Sequence, residues 1–147
     1  MNIRNVMTKD PVCCTSEMSV ADVAELLFTH DCGSIPVVDD LDERKPLGMV
    51  TDRDITCRCV AKGLDAARTP IRECMSLPAL TISEKASLDS CEQAMAVNQI
   101  RRMIVVNSEG RVSGVVAQAD VARSAGDKEA GSVLKRISQP AMLAAGH

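Results

Sequence analysis

The sequence predicts a mixed α+β fold in which a small β-α-β-β-α unit occurs twice. Residues 48–54 (GMVTDRD) run from an apolar strand through a polar turn into a helix start, and residues 114–120 (GVVAQAD) repeat that order. An amphipathic helix pattern precedes each copy. Gly48 and Gly114 lie 66 residues apart. Solenoid repeats have periods of about 20 to 50 residues, so this spacing indicates a duplicated unit.

In the first half, helix and turn signals define five elements. The first helix has an apolar stripe at helical spacing and a capping box formed by Ser19 and Asp22. Gly33 is expected to end that helix with a positive φ, and Gly63 to end the second helix. Pro36 lacks an N–H, so its strand is expected at a sheet edge or with that position facing away from its partner. The predicted elements are strands over residues 12–15, 35–38 and 47–50 and helices over residues 20–30 and 52–62.

The second half repeats this order. A helix is predicted over residues 88–98, because Leu88, Cys91 and Met95 fall on one face. Asp120 lies at the start of the last helix of the repeat. The predicted strands cover residues 79–82, 103–106 and 112–116.

One half alone would bury little apolar surface, so the two sheets are expected to pack face to face about a pseudo-twofold axis. The predicted division gives residues 1–70 to the first repeat with its linker helix and residues 71–126 to the second. Residues 127–147 are expected to form a short helix and a tail. This packing would leave two symmetry-related clefts where helix starts meet strand ends, which is a common ligand position.

The composition argues against several functional classes. A formal charge of −3 and the lack of a basic run do not favour nucleic acid as a partner. Phe28 is the only aromatic residue, so a bound adenine would have to lie between aliphatic side chains. No apolar run approaches the roughly 20 residues of a membrane span. The N-terminus lacks the apolar core of a signal peptide, which predicts a cytoplasmic location.

The seven cysteines are expected to be reduced and mostly structural. Their odd number and the lack of paired C-x-x-C motifs disfavour a disulfide framework or a four-thiolate zinc site. Cys91 falls on the apolar stripe of a helix. Reactive thiols need a positive neighbourhood, which only Cys57 and Cys59, on either side of Arg58, approach in sequence. A minor metal or redox alternative uses these side chains: Cys13, Cys14, His30 and Cys32.

Thr51 and Asp54 have the spacing of a capping box, in which each side chain bonds the other residue's backbone N–H. A second interpretation is a ligand site, since a helix start offers free N–H groups and a positive dipole end to a phosphate. The Thr51 hydroxyl would add a donor, and Asp54 can accept ribose hydroxyls. Duplication of the surrounding pattern favours this second interpretation. Ala117 replaces Thr51 in the second copy, whereas Asp120 is retained.

Two ordered copies of this pattern resemble a tandem pair of CBS domains, the Bateman module, over about residues 6–124. Residues 51–65 and the tail at 133–138 are further similar to small stand-alone bacterial two-CBS proteins of the hypoxic-response type, which carry no attached enzyme or channel. The matching segments are residues 6–8 (VMT), 34–39 (SIPVVD) and 48–54 in the first copy, and residues 74–76 (CMS), 102–106 (RMIVV) and 114–120 in the second.

The resemblance implies regulation rather than catalysis. Members commonly bind adenosyl compounds (AMP, ADP, ATP, NAD or S-adenosylmethionine) in the two clefts and pass occupancy on as a change of shape or assembly. No cofactor is required, and an adenine nucleotide is the implied regulatory ligand. Asp54 and Asp120 would hold ribose hydroxyls and Thr51 a phosphate. The implied adenine-reading backbone segments are Ser34, Ile35 and Pro36 in the first copy and Arg102, Met103 and Ile104 in the second.

An enzyme is the least expected class. Asp52 and Asp54 point to different faces of a helix, and His30 is the only histidine besides the terminal His147. The leading hypothesis is a module that senses an adenosyl nucleotide, and the alternative is a thiol- or metal-responsive stress protein on the same fold. A homodimer with four repeats in a flat disc is expected, because the helices at 55–60 and 88–97 carry more apolar residues than one small core needs. The resemblance identifies no protein partner.

Overall fold

The structure is a computed structural model that describes residues 2–124 together with residues 131, 134, 135 and 137. This part of the chain contains two β-sheets and four α-helices, which confirms the predicted mixed α+β class. The strands are β1 (Thr8–Lys9), β2 (Cys14–Thr15), β3 (Ser34–Val38), β4 (Pro46–Thr51), β5 (Thr81–Ser83), β6 (Arg102–Val106) and β7 (Val112–Ala117). The helices are α1 (Val20–Thr29), α2 (Asp52–Ile55), α3 (Leu88–Asn98) and α4 (Gln118–Ser124).

The chain divides into two compact units. The first, called here the Thr51 unit, comprises Asp10–Leu80 and Glu109–Val112 and contains the sheet β2-β3-β4. The second, the Asp120 unit, contains the sheet β1-β7-β6-β5. It comprises the described residues of Met1–Lys9, Thr81–Ser108 and Ser113–His147. The predicted helix and tail over 127–147 lie mostly outside the described residues.

In the Thr51 unit, the apolar stripe of α1 forms one side of the core. Val20 and Val23 are fully buried and Leu27 is 8% exposed, as the helical spacing predicted. The Ser19 hydroxyl accepts the backbone N–H of Asp22 at 3.1 Å, so the predicted cap is present on its serine side. Two predictions of detail were inaccurate. Asp31 rather than Gly33 takes the positive φ (49°) after α1, because an aspartate tolerates the left-handed region. Strand β2 begins two residues later than predicted, where its parallel pairing with β3 begins.

Pro36 lies in β3, the central strand of its sheet, so the edge-strand alternative is wrong and the second alternative holds. Its antiparallel partner in β4 is Met49. The Met49 N–H donates to the carbonyl of Ser76 at 3.1 Å and therefore points away from β3. Pro36 and Met49 therefore form a non-hydrogen-bonded pair, in which the two residues turn their backbone polar groups away from each other. The missing N–H of Pro36 costs the sheet no hydrogen bond to β4.

Each unit is completed by a short segment that leads into the other sequence repeat. In the Thr51 unit, Ile71 and Cys74 are fully buried in the core, and Ser76 forms an isolated antiparallel bridge with Met49. In the Asp120 unit, Ile3 is fully buried and β1 pairs antiparallel with β7. These leading segments cover the outer edges of β4 and β7.

The second predicted helix changes its winding after one turn. Helix α2 continues directly into a π-helical turn over Thr56–Val60, in which the Ala61 N–H donates to the Thr56 carbonyl at 2.9 Å. Gly63 follows with φ +70°, so the predicted glycine stop lies where the chain leaves the helix. Cys59 is the buried residue of the π-helical turn.

Helix α3 of the Asp120 unit has the bounds that its sequence pattern predicted. Cys91 and Met95 are fully buried and pack with Met103, Val105 and Val116. Strand β5 begins two residues later than predicted, where its parallel pairing with β6 begins. Ile137 joins this core with 3% exposure.

The cysteines, all of which lie in the described part of the chain, are mostly core residues. Cys57 is exposed and Cys32 is half-buried, whereas the other five are buried. Burial raises the pKa of the Cys14 thiol to about 12 and that of Cys91 to about 11. The two cysteines on either side of Arg58 have different environments, since Cys57 is exposed to solvent and Cys59 is buried in the core. Four of the buried cysteines are fully buried and belong to the two cores: Cys14, Cys59, Cys74 and Cys91.

A Gly48→Ala substitution is expected to destabilise the fold. A Cβ at this position would lie 2.5 Å from the Ser76 carbonyl oxygen and 3.0 Å from Leu77. Such overpacking against backbone costs about 1–3 kcal/mol. Gly131→Ala is the matched control, because a Cβ there meets nothing within 4 Å. Urea denaturation measures both free energies of unfolding, and equal values for the two variants would contradict the close approach at Gly48.

A thiol reagent such as DTNB at pH 8 is expected to label one cysteine rapidly in the folded protein. Cys57 is the exposed thiol, and burial raises the pKa of Cys13, Cys14, Cys74 and Cys91. Cys57→Ser should remove the fast phase, while the five buried thiols react only after unfolding. Two or more fast thiols in Cys57→Ser would show that the cysteine-bearing core opens readily.

Candidate functional site

The first predicted site residues form a reciprocal cap where β4 meets α2. The Thr51 hydroxyl accepts the Asp54 N–H at 3.1 Å, and the Asp54 carboxylate oxygen Oδ2 accepts the Thr51 N–H at 3.0 Å. Both side chains are half-buried. The capping-box interpretation of the sequence is therefore confirmed, and it fixes the Asp54 carboxylate relative to the end of the strand.

The start of β3 lies beside this cap. Ser34 is paired with Thr51, and Ile35 with Val50, in the antiparallel register. The Asp52 N–H donates to the Gly33 carbonyl at 3.2 Å, which holds the entry of α2 against the chain that leads into β3. Sequence reasoning thus grouped Ser34, Thr51 and Asp54 correctly in space. The side chain of Ile35 is fully buried in the core, so only its backbone is available to a ligand.

Ser76 also lies at this site, although sequence reasoning quoted it only as part of a repeat motif. Its hydroxyl is 3.4 Å from both carboxylate oxygens of Asp54. Its backbone N–H donates to the Met49 carbonyl at 2.8 Å. The available signal was Gly48, since a residue without a side chain beside a strand end indicates close approach of another backbone.

Arg58 fixes the same segment from the π-helical turn. Its guanidinium donates to the carbonyl of Met75 at 2.9 Å and to that of Cys74 at 3.2 Å. Residues 74–76 are therefore held at one end by Arg58 and at the other by Met49. This arrangement makes them a wall of the Asp54 site.

The second copy keeps the backbone arrangement and changes the side chains. The Ala117 N–H donates to Asp120 Oδ2 at 2.8 Å, and the Gln118 N–H donates to the Arg101 carbonyl at 2.8 Å. No hydroxyl stands at position 117. The second carboxylate oxygen, Oδ1, forms an ion pair with the Arg123 guanidinium at 2.5 Å.

The predicted adenine-reading residues of the second copy lie in β6. The Arg102 side chain is exposed, whereas Met103 is 3% exposed and Ile104 is fully buried. As at Ile35, a ligand could reach the backbone here but not the Ile104 side chain. Arg101, immediately before β6, supplies the carbonyl that accepts the N–H of Gln118.

The metal alternative is not supported by the positions of its candidate ligands. Cys14 is fully buried in the core and His30 is exposed. Cys13 is 9% exposed, and its sulfur accepts a hydrogen bond from Arg44 at 3.1 Å. In the described residues, no group of three or more His, Cys, Asp or Glu side chains has a metal-binding arrangement. None of the helices in the described part of the chain has the length and apolar character needed to cross a membrane.

Comparison with known sequences finds one family that matches the chain twice. The CBS domain family model matches residues 3–59 and again residues 71–127. The CBS domain-containing protein YhcV of Bacillus subtilis is 35% identical over 138 residues, which is 93% of this chain and 95% of that protein. Hypoxic response protein 1 of Mycobacterium tuberculosis is 30% identical over 141 residues, or 96% of each chain.

Two solved structures extend the similarity to the backbone. The structure of Hypoxic Response Protein I with two coordinated zinc ions has a TM-score of 0.75 at 28% identity, covering 86% of this chain and 100% of that one. The CBS domain pair of protein MJ0100, in complex with 5′-methylthioadenosine and S-adenosyl-L-methionine, has a TM-score of 0.75 at 26% identity, covering 87% and 98%. With two family matches that together span most of its length, the chain belongs to the CBS-domain family and carries a tandem pair of these domains.

Proposed function

We propose that this protein is a non-catalytic sensor that binds an adenosyl nucleotide at the Asp54 site and signals through conformation or assembly. The observation that carries the proposal is the fixed carboxylate at each strand-to-helix junction. In both copies a backbone N–H holds Oδ2 of the aspartate, at 3.0 Å for Asp54 and 2.8 Å for Asp120. A carboxylate fixed in this way keeps acceptor capacity for the hydroxyls of a ribose.

The similar CBS pair in complex with 5′-methylthioadenosine and S-adenosyl-L-methionine supports an adenosyl ligand. The composition is consistent with this ligand class, because the backbone of β3 and β6 can contact a base without aromatic stacking. A cytoplasmic location, where adenine nucleotides are abundant, belongs to the same proposal. Catalysis is not part of it, since His30 is exposed and lies outside the cap.

The two sites are proposed to differ in strength, with the Asp54 site as the principal one. Thr51 offers a hydroxyl to a phosphate, and Ala117 offers none. A lost hydrogen bond to a charged group costs about 1.5–3 kcal/mol, which is roughly ten- to a hundredfold in affinity. In the second site Arg123 could contact a phosphate instead, but it would first have to leave its ion pair with Asp120.

A thiol- or metal-responsive stress function is the competing proposal. It is favoured by the similar structure with two coordinated zinc ions. Against it stand the burial of Cys14 and the different environments of Cys13, Cys32 and His30. Repeating ligand titrations with and without a reductant and a chelator distinguishes the two functions.

A thermal-shift panel of AMP, ADP, ATP, NAD and S-adenosylmethionine tests nucleotide binding. At least one ligand at about a hundred times its dissociation constant should stabilise the wild-type protein by roughly 2.7 kcal/mol. In each variant the amide keeps an oxygen for the capping bond but loses the charge. Asp54→Asn should abolish most of the shift, because Asp54 belongs to the principal site, and Asp120→Asn should spare it, because Asp120 belongs to the weaker one. No shift with any ligand would refute nucleotide sensing, whereas equal sensitivity of both variants would refute only the asymmetry.

Light scattering tests the proposed homodimer. On α1, the π-helical turn and α3, three large apolar side chains are exposed: Phe28 (87%), Val60 (66%) and Val97 (82%). The wild-type protein is expected to be dimeric at micromolar concentration, and Phe28→Glu or Val97→Glu to weaken the dimer. Leu41→Glu is the control, because Leu41 is 54% exposed in a loop. A monomeric wild-type protein would rule the dimer out.

A further inference from the structure

The segment between the two repeats is attached to the candidate site by three separate contacts. Ser76 exchanges two backbone hydrogen bonds with Met49, at 2.8 and 3.1 Å. Arg58 donates to the carbonyls of Cys74 and Met75. The Ser76 hydroxyl faces both oxygens of Asp54. Two of these contacts involve the motif at 48–54, through Met49 and Asp54, so a residue assigned to ligand binding, Asp54, also contacts residues 74–76.

The Ser76 hydroxyl is too far from the Asp54 carboxylate to form a strong hydrogen bond with it. A strong O–H···O⁻ bond spans about 2.5–2.7 Å, but this hydroxyl lies 3.4 Å from each carboxylate oxygen. A hydroxyl both donates and accepts, and an ionised carboxylate has about four acceptor positions. The Thr51 N–H occupies one of these positions. The remaining capacity is shared between Ser76 and any hydroxylated ligand.

We propose that Ser76 is a ligand-contacting residue of the Asp54 site, and that occupancy of this site tightens the docking of residues 74–76. The inference rests on the proposed function and assigns its ligand a vicinal diol, as in ribose. One hydroxyl of the diol bonds the carboxylate, and the other bonds the Ser76 oxygen. The ligand thereby bridges α2 and the inter-repeat segment, a link that the long Ser76–Asp54 contact makes only weakly.

Reciprocal linkage gives Arg58 a role without a ligand contact. If the ligand favours the docked segment, then a change that weakens docking must weaken ligand binding by the corresponding factor. Arg58 holds the carbonyls on the far side of Ser76 from Met49. It is therefore a positioning residue, and its effect on affinity is separable from any direct bond to the ligand.

The second copy provides an internal comparison. The position that corresponds to Ser76 is Thr8 in β1, which pairs with Val115 of β7. The Asp120 oxygen Oδ1 is bonded there by Arg123 at 2.5 Å. The carboxylate of the second copy thus has a cation as its neighbour, where Asp54 has a hydroxyl. Substitution of Thr8 should leave ligand binding at the Asp54 site unchanged.

The test combines calorimetric titration with amide hydrogen exchange. The probe is the adenosyl ligand that gives the largest thermal shift, together with its 2′-deoxy analogue. Ser76→Ala should weaken binding of the ribose form about two- to tenfold, as expected for one neutral hydrogen bond. Its affinity for the ribose form should then be close to its affinity for the 2′-deoxy analogue. Ser76→Thr should restore part of the loss. Arg58→Gln should weaken binding by a similar factor, whereas Arg68→Gln and Thr8→Val should not.

Hydrogen exchange separates this inference from the proposed function. Ligand should slow exchange of the Ser76 and Met49 amides in the wild-type protein and have less effect in Ser76→Ala. Without ligand, these amides should exchange faster in Arg58→Gln than in Arg68→Gln. If the wild-type protein binds the ligand while Ser76→Ala and Arg58→Gln bind it equally well, the inference fails alone. If no adenosyl compound binds, both the proposed function and the inference fail.

Discussion

The two-bond exchange between the backbones of Met49 and Ser76 is the contact on which the Thr51 unit depends. It requires Gly48, because any side chain there would collide with the Ser76 carbonyl. It closes the edge of β4, buries Ile71 and Cys74, and brings a hydroxyl to the carboxylate of Asp54. The Asp120 unit uses the same solution, with Gly114 facing the Thr8 carbonyl at 3.0 Å from the position of a Cβ. The glycine of each motif is therefore needed for the close approach of the segment that covers the sheet edge.

Much of the fold was predictable because its signals are local. The bounds of α3, the stripe of α1 and the Thr51–Asp54 cap follow from spacings of three and four residues along one helix. The grouping of Ser34 with Thr51 follows from an antiparallel hairpin. Contacts between residues distant in sequence could not be predicted in this way: Ser76 lies 22 positions from Asp54, and Arg58 lies 16 from Cys74. The positive φ at Asp31 was missed because aspartate and glycine both tolerate that conformation.

The two carboxylates have the same backbone environment and different counter-groups. The Asp120 side chain is 14% exposed and is paired with the Arg123 guanidinium, whereas Asp54 faces the Ser76 hydroxyl and Arg58 is engaged with main-chain carbonyls. The repeat thus keeps the backbone scaffold and varies the charged group beside the carboxylate.

The leading segments have a consequence for how such a chain can arise. Each compact unit takes its sheet edge, and part of its core, from residues that precede the other repeat in the sequence. A polypeptide that carried a single repeat would lack the piece that completes it. It could obtain that piece from a second copy of itself, by mutual exchange of the segments. Gene duplication followed by fusion would then have converted an intermolecular contact into an intramolecular one, whose effective concentration does not fall when the protein is diluted.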